Sequence, residues 1–266
     1  MSSPTEVFYP FLAFSVLLLA ISGIILIKKA NSTKQWNLVL LGIANILTVV
    51  IFVLLVFTEF WVAINMIFVI AYLSIIVFVK MTFSTVSKKM YKTLVTLCLV
   101  LGCYMIFNSF FFRLSLIELT SVTRTIGLLV QIGISFPVFF WFSLHSFRAC
   151  KLLKDKKIEP WILWRMKVNM LSALIMAFYQ IPDILRIDPS VEYADPTNPI
   201  SMLIFYTQGI IVMFFSISQF IAWVMPSVLK RYLNRNYEIP KDLVDSMNIS
   251  ESQIMKQLNT EEEHHE

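Results

Sequence analysis

The chain has 266 residues, of which 58% are hydrophobic and only 15% are charged, and its mean hydropathy is +0.74. This composition excludes a single soluble domain with a solvated surface and is typical of a polytopic membrane protein. The formal charge of +5 fits cationic loops that face anionic lipid, so we do not expect a nucleic-acid partner.

Seven apolar runs follow one another along the chain, separated by polar segments. A helix needs about 20 apolar residues to cross the hydrocarbon core of a bilayer, and only helices suit runs this long and uniform. The sequence therefore predicts an all-α fold, a bundle of seven transmembrane helices. The predicted spans are residues 9 to 27, 37 to 57, 61 to 79, 93 to 112, 125 to 147, 166 to 185 and 201 to 224.

The second and third runs are parted only by Thr58, Glu59 and Phe60. One long helix through both runs would place the carboxylate of Glu59 in the lipid, which costs about 3 kcal/mol or more. We therefore predict two helices joined by a tight turn. The first run is predicted to be retained as a helix, because the preceding MSSPTEVFYP lacks the positive region of a signal peptide.

The lysines and arginines predict the orientation. Nineteen of the 22 fall on one side of the seven-span topology, and the exceptions are Arg113, Arg124 and Arg186. Because cytoplasmic loops carry an excess of Lys and Arg, we predict an integral membrane protein of the plasma membrane, with its N-terminus outside and its C-terminus in the cytoplasm.

The segment MPSVLKRYLNRNYEIP, which follows the seventh run, has the pattern of an amphipathic helix. Its apolar positions share one helical face: Val228, Leu229, Tyr232 and Leu233. Its cations lie mainly off that face: Lys230, Arg231 and Arg235. Such a helix is expected to lie flat in the inner interface of the bilayer.

Three parts of the chain follow from these patterns. Residues 1–226 are predicted to form the seven-helix domain, residues 227–239 the interfacial helix, and residues 240–266 a polar, acidic and partly disordered cytoplasmic tail. The tail is too short to hold a core of its own.

Polar residues, most of them uncharged, interrupt the spans at two depths. Such side chains tend to face the interior of a bundle. Near the outer side they suggest a pocket for a small, fairly apolar ligand, with the following candidates: Asn65, Asn108, Gln131, Tyr179, Gln180, Asp183, Tyr206 and Gln208. The inner tier consists of Asn45, His145, Asn169 and Gln219. The alternative reading of each residue is hydrogen bonding between helices, at about 0.6 kcal/mol per bond.

Prolines and basic residues supply further candidates. Pro137, Pro182 and Pro226 are predicted hinges, because proline interrupts the helical hydrogen bonds. Basic residues at the inner side are predicted to face lipid or a cytoplasmic protein partner: Lys88, Lys89, Lys154, Lys156, Lys157, Lys230, Arg231 and Arg235.

Motifs for catalysis are missing from the sequence. There is no HExxH, no GxSxG and no phosphate-binding glycine loop, and the spans hold almost no ionisable residues away from their ends. We therefore expect no enzymatic activity, no metal site and no cofactor.

The topology, with seven spans, a proline at the end of helix seven and a cationic amphipathic helix after it, resembles a G-protein-coupled receptor. The motifs depart from that family: helix three ends in IVFVKMTF instead of an acidic-Arg-aromatic triplet, and WVMPSVLKRY stands where NPxxY is expected. The size and orientation are also similar to the heptahelical sensor regions of prokaryotic signalling proteins. The resemblance implies a receptor or sensor.

The sequence thus favours a heptahelical receptor or sensor that binds a small ligand in the outer half and signals through its basic inner face. Two alternatives are open. The first is a small-solute transporter in which helices one to three and five to seven form matching halves around helix four. The second is a non-catalytic scaffold or accessory subunit, which predicts a tightly packed bundle.

Overall fold

The computed structural model describes residues 4–57, 60–83, 86–117, 120–154, 158–188, 191, 195, 197–235 and 237. Several sequence predictions lie outside these residues, namely those for Lys156, Lys157, the tail from 240 to 266 and part of the segment 227–239.

The described residues form α-helices and one 3₁₀ helix. In chain order these are α1 (Pro4–Thr33), α2 (Trp36–Phe57), α3 (Trp61–Thr82), α4 (Lys88–Arg113), α5 (Ser121–Leu153), α6 (Pro160–Ala177), the 3₁₀ helix (Ile181–Arg186), α7 (Pro199–Val224) and α8 (Ser227–Leu233). Seven segments are long and apolar enough to cross a membrane, α6 being counted together with the 3₁₀ helix. This confirms the predicted seven-helix, all-α architecture, including the separation of α2 from α3.

Several helices extend beyond the apolar runs that predict them. The inner loop expected between residues 148 and 165 shrinks to residues 154–159, because α5 continues to Leu153 and α6 begins at Pro160. Proline suits the first turn of a helix, where its missing N–H has no partner to lose. With 33 residues, α5 is about 50 Å long, which exceeds the hydrocarbon thickness of about 30 Å.

The helices form a closed ring. Each helix from α1 to α7 contacts the next, α7 returns to α1, and α3 also touches α5 across the middle. We call the end at which α1, α3, α5 and α7 begin the outer end, and the opposite end the inner end, after the predicted orientation.

Aromatic rings fill the interior of the bundle between α3, α5 and α7. The ring of Phe78 meets the ring of Trp223 edge to face, with centroids 5.4 Å apart, and meets Phe142 at 5.7 Å. The rings of Phe139 and Phe215 are 5.6 Å apart in the same geometry. Such pairs add to the stability that burial of the rings gives, so this part of the interior is packed with side chains.

Large apolar side chains also cover the outside of the bundle. Ile24, Val100, Phe107 and Leu203 are each between 58% and 61% exposed. A soluble protein seldom exposes apolar surface on this scale, whereas lipid solvates it without cost. The apolar sides of the bundle are therefore those expected of an integral membrane protein.

Small residues let α1 and α2 approach closely. A Cβ atom added to Gly42 would lie 2.8 Å from the backbone oxygen of Gly23, and the reverse contact would be 2.9 Å. One turn further along α2, the Asn45 amide donates a hydrogen bond of 3.1 Å to the Ser22 hydroxyl. This combination of small residues and a polar contact is common where helices associate in membranes.

The sixth span is broken near its outer end. The α-helix stops at Ala177, and after a turn at residues 178–180 the chain continues as the 3₁₀ helix that contains Pro182. A 3₁₀ segment inside a span marks a change of direction or a hinge. This break sets the positions of the polar groups at the outer end.

Candidate functional sites on helices α6, α7 and α8

A group of buried and half-buried polar residues meets where α6 breaks. The amide nitrogen of Gln208 donates to the Asp183 carboxylate over 2.6 Å and to the carbonyl of Tyr179 over 3.3 Å. The other carboxylate oxygen of Asp183 accepts a hydrogen bond from Arg186 at 3.0 Å. Asp183 is 5% exposed and Gln208 only 2%. We call Tyr179, Asp183, Arg186 and Gln208 the outer polar cluster.

Three of the predicted pocket residues, Tyr179, Asp183 and Gln208, belong to the outer polar cluster. Gln180 is buried at the start of the 3₁₀ helix, and Tyr206 is half-buried on α7. The loop beyond the cluster is fixed to α5, because Arg124 donates hydrogen bonds to the carbonyls of Asp188 and Val191 over 2.9 and 2.8 Å. Helices α5, α6 and α7 thus converge here.

The remaining outer candidates lie elsewhere. Asn65 donates a hydrogen bond of 2.6 Å to Ser109 and so joins α3 to α4. Asn108 and Gln131 are half-buried on α4 and α5. The polar residues predicted at one depth are therefore not brought together, since some belong to the outer polar cluster, Asn65 joins α3 to α4, and Asn108 and Gln131 are in neither group.

An open groove of about 730 Å³ lies at the outer end of α3 and α4. It is lined mainly by aromatic and aliphatic side chains with one cation: Phe60, Trp61, Val62, Phe112, Arg113, Ser115 and Ile117. The guanidinium of Arg113 lies over the Phe60 ring, 5.1 Å from its centroid. None of the predicted pocket residues lines this groove. Its walls come from the start of α3 with the preceding Phe60, and from the end of α4 with the residues just after it.

The residues of the inner tier, like the outer candidates, do not all meet in one place. Asn45 bonds to Ser22, as described above. His145 is 2% exposed, with its ring 5.2 Å from that of Trp141 and 6.1 Å from that of Phe83. These residues join neighbouring helices in the packed interior.

Asn169 and Gln219 do meet, between α6 and α7. The Gln219 amide donates to the Asn169 side-chain oxygen at 3.4 Å and to the Ser172 hydroxyl at 3.3 Å. All three side chains are fully buried. Within the described part of the chain, Asn169 Nδ2 and Gln219 Oε1 make no hydrogen bond, and each such group costs about 1–3 kcal/mol when buried. This contact is therefore incompletely satisfied.

One turn nearer the inner end, a buried arginine continues the polar contact. Arg165 is 5% exposed, and its guanidinium lies 4.9 Å from the ring centroid of Trp223 on α7 and 5.1 Å from that of Trp161. Cation–π contacts gain strength when they are shielded from water. The α6–α7 interface is thus polar at the outer end, in the middle and at the inner end.

The start of α6 is joined to α8 by a set of polar contacts. The Glu159 carboxylate accepts hydrogen bonds from the Trp161 indole N–H and, at 3.0 Å, from the Asn234 amide, and lies 3.4 Å from the Lys230 ammonium. That ammonium also lies 4.6 Å from the centroid of the Trp161 ring. We call Glu159, Trp161, Lys230 and Asn234 the α6–α8 latch.

The charge on Glu159 is favoured by its surroundings. Partial burial raises the pKa of this carboxyl, but the hydrogen bond from Trp161, the nearby Lys230 and the Asn234 amide outweigh burial and leave the pKa below its ordinary value. Glu159 is therefore ionised at neutral pH, and its negative charge is directed at α8.

The other predicted features have the following positions. Pro137 lies inside α5, which continues through it, Pro182 lies in the 3₁₀ helix, and Pro226 precedes α8.

The predicted basic residues lie at the ends of helices. The exposed Lys88 and Lys89 are the first residues of α4, while the exposed Lys154 follows α5. Arg231 and Arg235 are exposed, the latter with its guanidinium 4.6 Å from the Tyr232 ring centroid.

Sequence reasoning missed the α6–α8 latch and the groove at α3 and α4. Glu159 and Asn234 are 75 residues apart, and no local periodicity connects them. Glu159 directly before a proline at a helix start was the available signal, because acidic residues favour that position.

Among the described residues, no three His, Cys, Asp or Glu side chains group as metal ligands. Comparison with protein-family models, curated proteins and solved structures found no match to this chain.

Proposed function

We propose that the chain is a seven-helix membrane receptor or sensor that binds a small, fairly apolar ligand at the outer polar cluster and signals through its inner face. The observation that carries the proposal is the position of α6. This helix has polar contacts with α7 at its outer break and with α7 and α8 at its inner start. A single element therefore connects the two ends of the bundle.

A ligand at the outer polar cluster would change the hydrogen bonds of that cluster. Its buried carboxylate and amide already bond to each other, so a ligand with a hydrogen-bonding group and an apolar body would compete for Gln208 or Asp183. Because both groups are buried, a ligand that satisfied them differently would favour a different packing of the 3₁₀ helix against α7. Differential affinity for two packings is what shifts their populations.

The helix α6 would carry a shift from the outer polar cluster to the inner end. α6 has 18 residues and is about 27 Å long, with no proline between its first residue and the break. A shift of the turn at residues 178–180 that moves Ala177 is therefore passed along a continuous helix to Arg165 and Glu159. The incompletely bonded pair Asn169 and Gln219 lies midway and offers little resistance to such a shift.

The proposal favours a receptor over the transporter alternative for a structural reason. In two matching halves, α2 would correspond to α6, yet α2 runs unbroken from Trp36 to Phe57 while α6 ends at Ala177 before a 3₁₀ helix. The proposal involves no catalytic step and no cofactor. The inner basic residues would face cytoplasmic lipid and a cytoplasmic protein partner.

A ligand screen on purified full-length protein tests the proposal. Uncharged, amphipathic small molecules are tested for their effect on the thermal unfolding of wild type, Gln208→Leu and the matched control Gln131→Leu. We expect compounds that stabilise wild type and the control but have lost this effect on Gln208→Leu. Hits that stabilise all three proteins equally would place the site away from the outer polar cluster and contradict the proposal.

A further inference from the structure

The helix α8 presents an unusual surface. None of its seven residues is buried, and the apolar side chains of Val228 and Tyr232, one turn apart, are 68% and 58% exposed. The cations Lys230 and Arg231 of α8, and Arg235 two residues beyond its end, are exposed as well. Apolar groups beside cations on a short helix match the boundary between acyl chains and headgroups.

The connection to α7 fixes where this surface can be. α7 ends at Val224 and α8 starts at Ser227, so at most two residues separate a candidate membrane span from α8. Two residues reach at most about 7 Å. If α7 crosses a bilayer, α8 therefore follows directly on the end of the span, where lipid headgroups are within reach whichever way the protein is inserted.

Two kinds of anion can pair with Lys230 at this surface, the Glu159 carboxylate and a lipid headgroup. Its ammonium lies 3.4 Å from the Glu159 carboxylate and over the Trp161 ring, yet its side chain is 46% exposed. An anionic headgroup offers the same kind of partner as Glu159, with further phosphates for the neighbouring Arg231 and Arg235. A zwitterionic headgroup lacks the net negative charge that would favour this exchange.

We propose that α8 is a sensor of anionic lipid, whose headgroup phosphates bind Lys230, Arg231 and Arg235, withdraw Lys230 from Glu159 and so open the α6–α8 latch. For these three cations the partner is the charged leaflet, and a protein partner is left to the other inner basic residues, because exposed apolar residues of α8 accompany the cations. The proposal depends on the α6–α8 contact alone and holds whether or not a ligand binds at the outer polar cluster.

The test measures the distance between α6 and α8 in bilayers of defined charge. Full-length protein without its native cysteines carries spin labels at Lys167→Cys on α6 and Ser227→Cys on α8, two exposed positions. It is placed in nanodiscs of phosphatidylcholine with a rising fraction of phosphatidylglycerol. We expect one short distance in pure phosphatidylcholine and a longer one that grows with the anionic fraction and retreats at high salt.

Three variants sharpen the result. Glu159→Gln is expected to show the longer distance already in pure phosphatidylcholine, because the latch loses its carboxylate. Arg231→Gln keeps the latch but should need a higher anionic fraction, since each basic residue near the surface adds about fivefold to the binding constant. Lys89→Gln, a matched exposed cation on α4, should behave as wild type.

Two outcomes would overturn the proposal. A distance that is the same at every anionic fraction would show that α8 does not respond to lipid charge and would leave its cations to a protein partner. An effect of Lys89→Gln equal to that of Arg231→Gln would show a response to total charge without a site on α8. Neither outcome depends on the ligand screen, so the two proposals fail separately.

Discussion

The pairs α1–α2 and α6–α7 solve the problem of helix association in different ways. The first pair approaches closely at two glycines and adds one hydrogen bond between Asn45 and Ser22. The second pair is held by a buried carboxylate cluster, an incompletely bonded amide pair and an arginine on a tryptophan ring. Close backbone packing has one good arrangement, whereas polar contacts can exchange partners. The comparison indicates a fixed half and an adjustable half of the bundle.

The largest expected effect is on the fixed half. Gly42→Ala puts a Cβ atom 2.8 Å from a backbone oxygen that cannot move aside, so we expect a loss of about 2 kcal/mol in stability. Gly127→Ala is the matched control, because no atom lies within 4 Å of its added Cβ. Unfolding of both variants in detergent measures the difference. Equal stability would show that the α1–α2 crossing is looser than described.

A smaller loss is expected at the outer polar cluster. Gln208→Leu removes the donor that bonds to the buried Asp183 carboxylate, which should cost about 1.5 kcal/mol. Gln131→Leu, on a half-buried glutamine of α5, should cost less. Thermal unfolding of the two variants checks the order. A reversed order would remove the distinction between the cluster and an ordinary polar residue in a span.

Removal of a single interhelical hydrogen bond should have a modest effect. Ser22→Ala deletes the acceptor of the Asn45 amide while it leaves the glycine crossing in place, and we expect a cost of about 0.6 kcal/mol. The variant should retain any response to ligand or lipid. Loss of that response would assign the signalling role to α1 and α2 as well and contradict the division into two halves.

The smallest effect concerns pH at the α6–α8 latch. The pKa of Glu159 lies below its ordinary value of 4.5, so the ionised carboxylate stabilises the latch at neutral pH, and this contribution is lost as the pH falls below 4.5. With both partners more than a third exposed, the ion pair contributes about 0.5 kcal/mol or less. The spin-label distance in phosphatidylcholine should lengthen at acidic pH, and Glu159→Gln should show no such change.

Sequence patterns predicted the fold well because a bilayer imposes a minimum apolar length on every span. The seven runs follow from hydropathy, and the turn near Phe60 was predicted from the cost of placing the Glu59 carboxylate in lipid. The helix ends were predicted less well, since hydrogen bonds continue past the hydrocarbon into polar residues such as Lys151. The helix α8 was predicted from apolar residues that share one face and from cations that lie mainly off it.

The candidate sites were predicted only in part. Depth within a span suggested that Gln208 and Asp183 share a level, and the structure brings them together. Depth does not indicate the direction of a side chain around its helix, so Asn65 was grouped with them although it bonds to α4. The contact between Glu159 and Lys230 depends on how distant segments pack, which no local pattern encodes.

The corner between α7 and α8 has a consequence for which element moves. Met225 occupies the left-handed region with a φ of 43°, a conformation that residues other than glycine adopt at a cost, and Pro226 restricts the next φ angle. A residue held in a costly conformation has lower-energy alternatives, so the strain at Met225 favours a change in the angle between α7 and α8. When lipid withdraws Lys230 from Glu159, we expect α8 to turn at Met225.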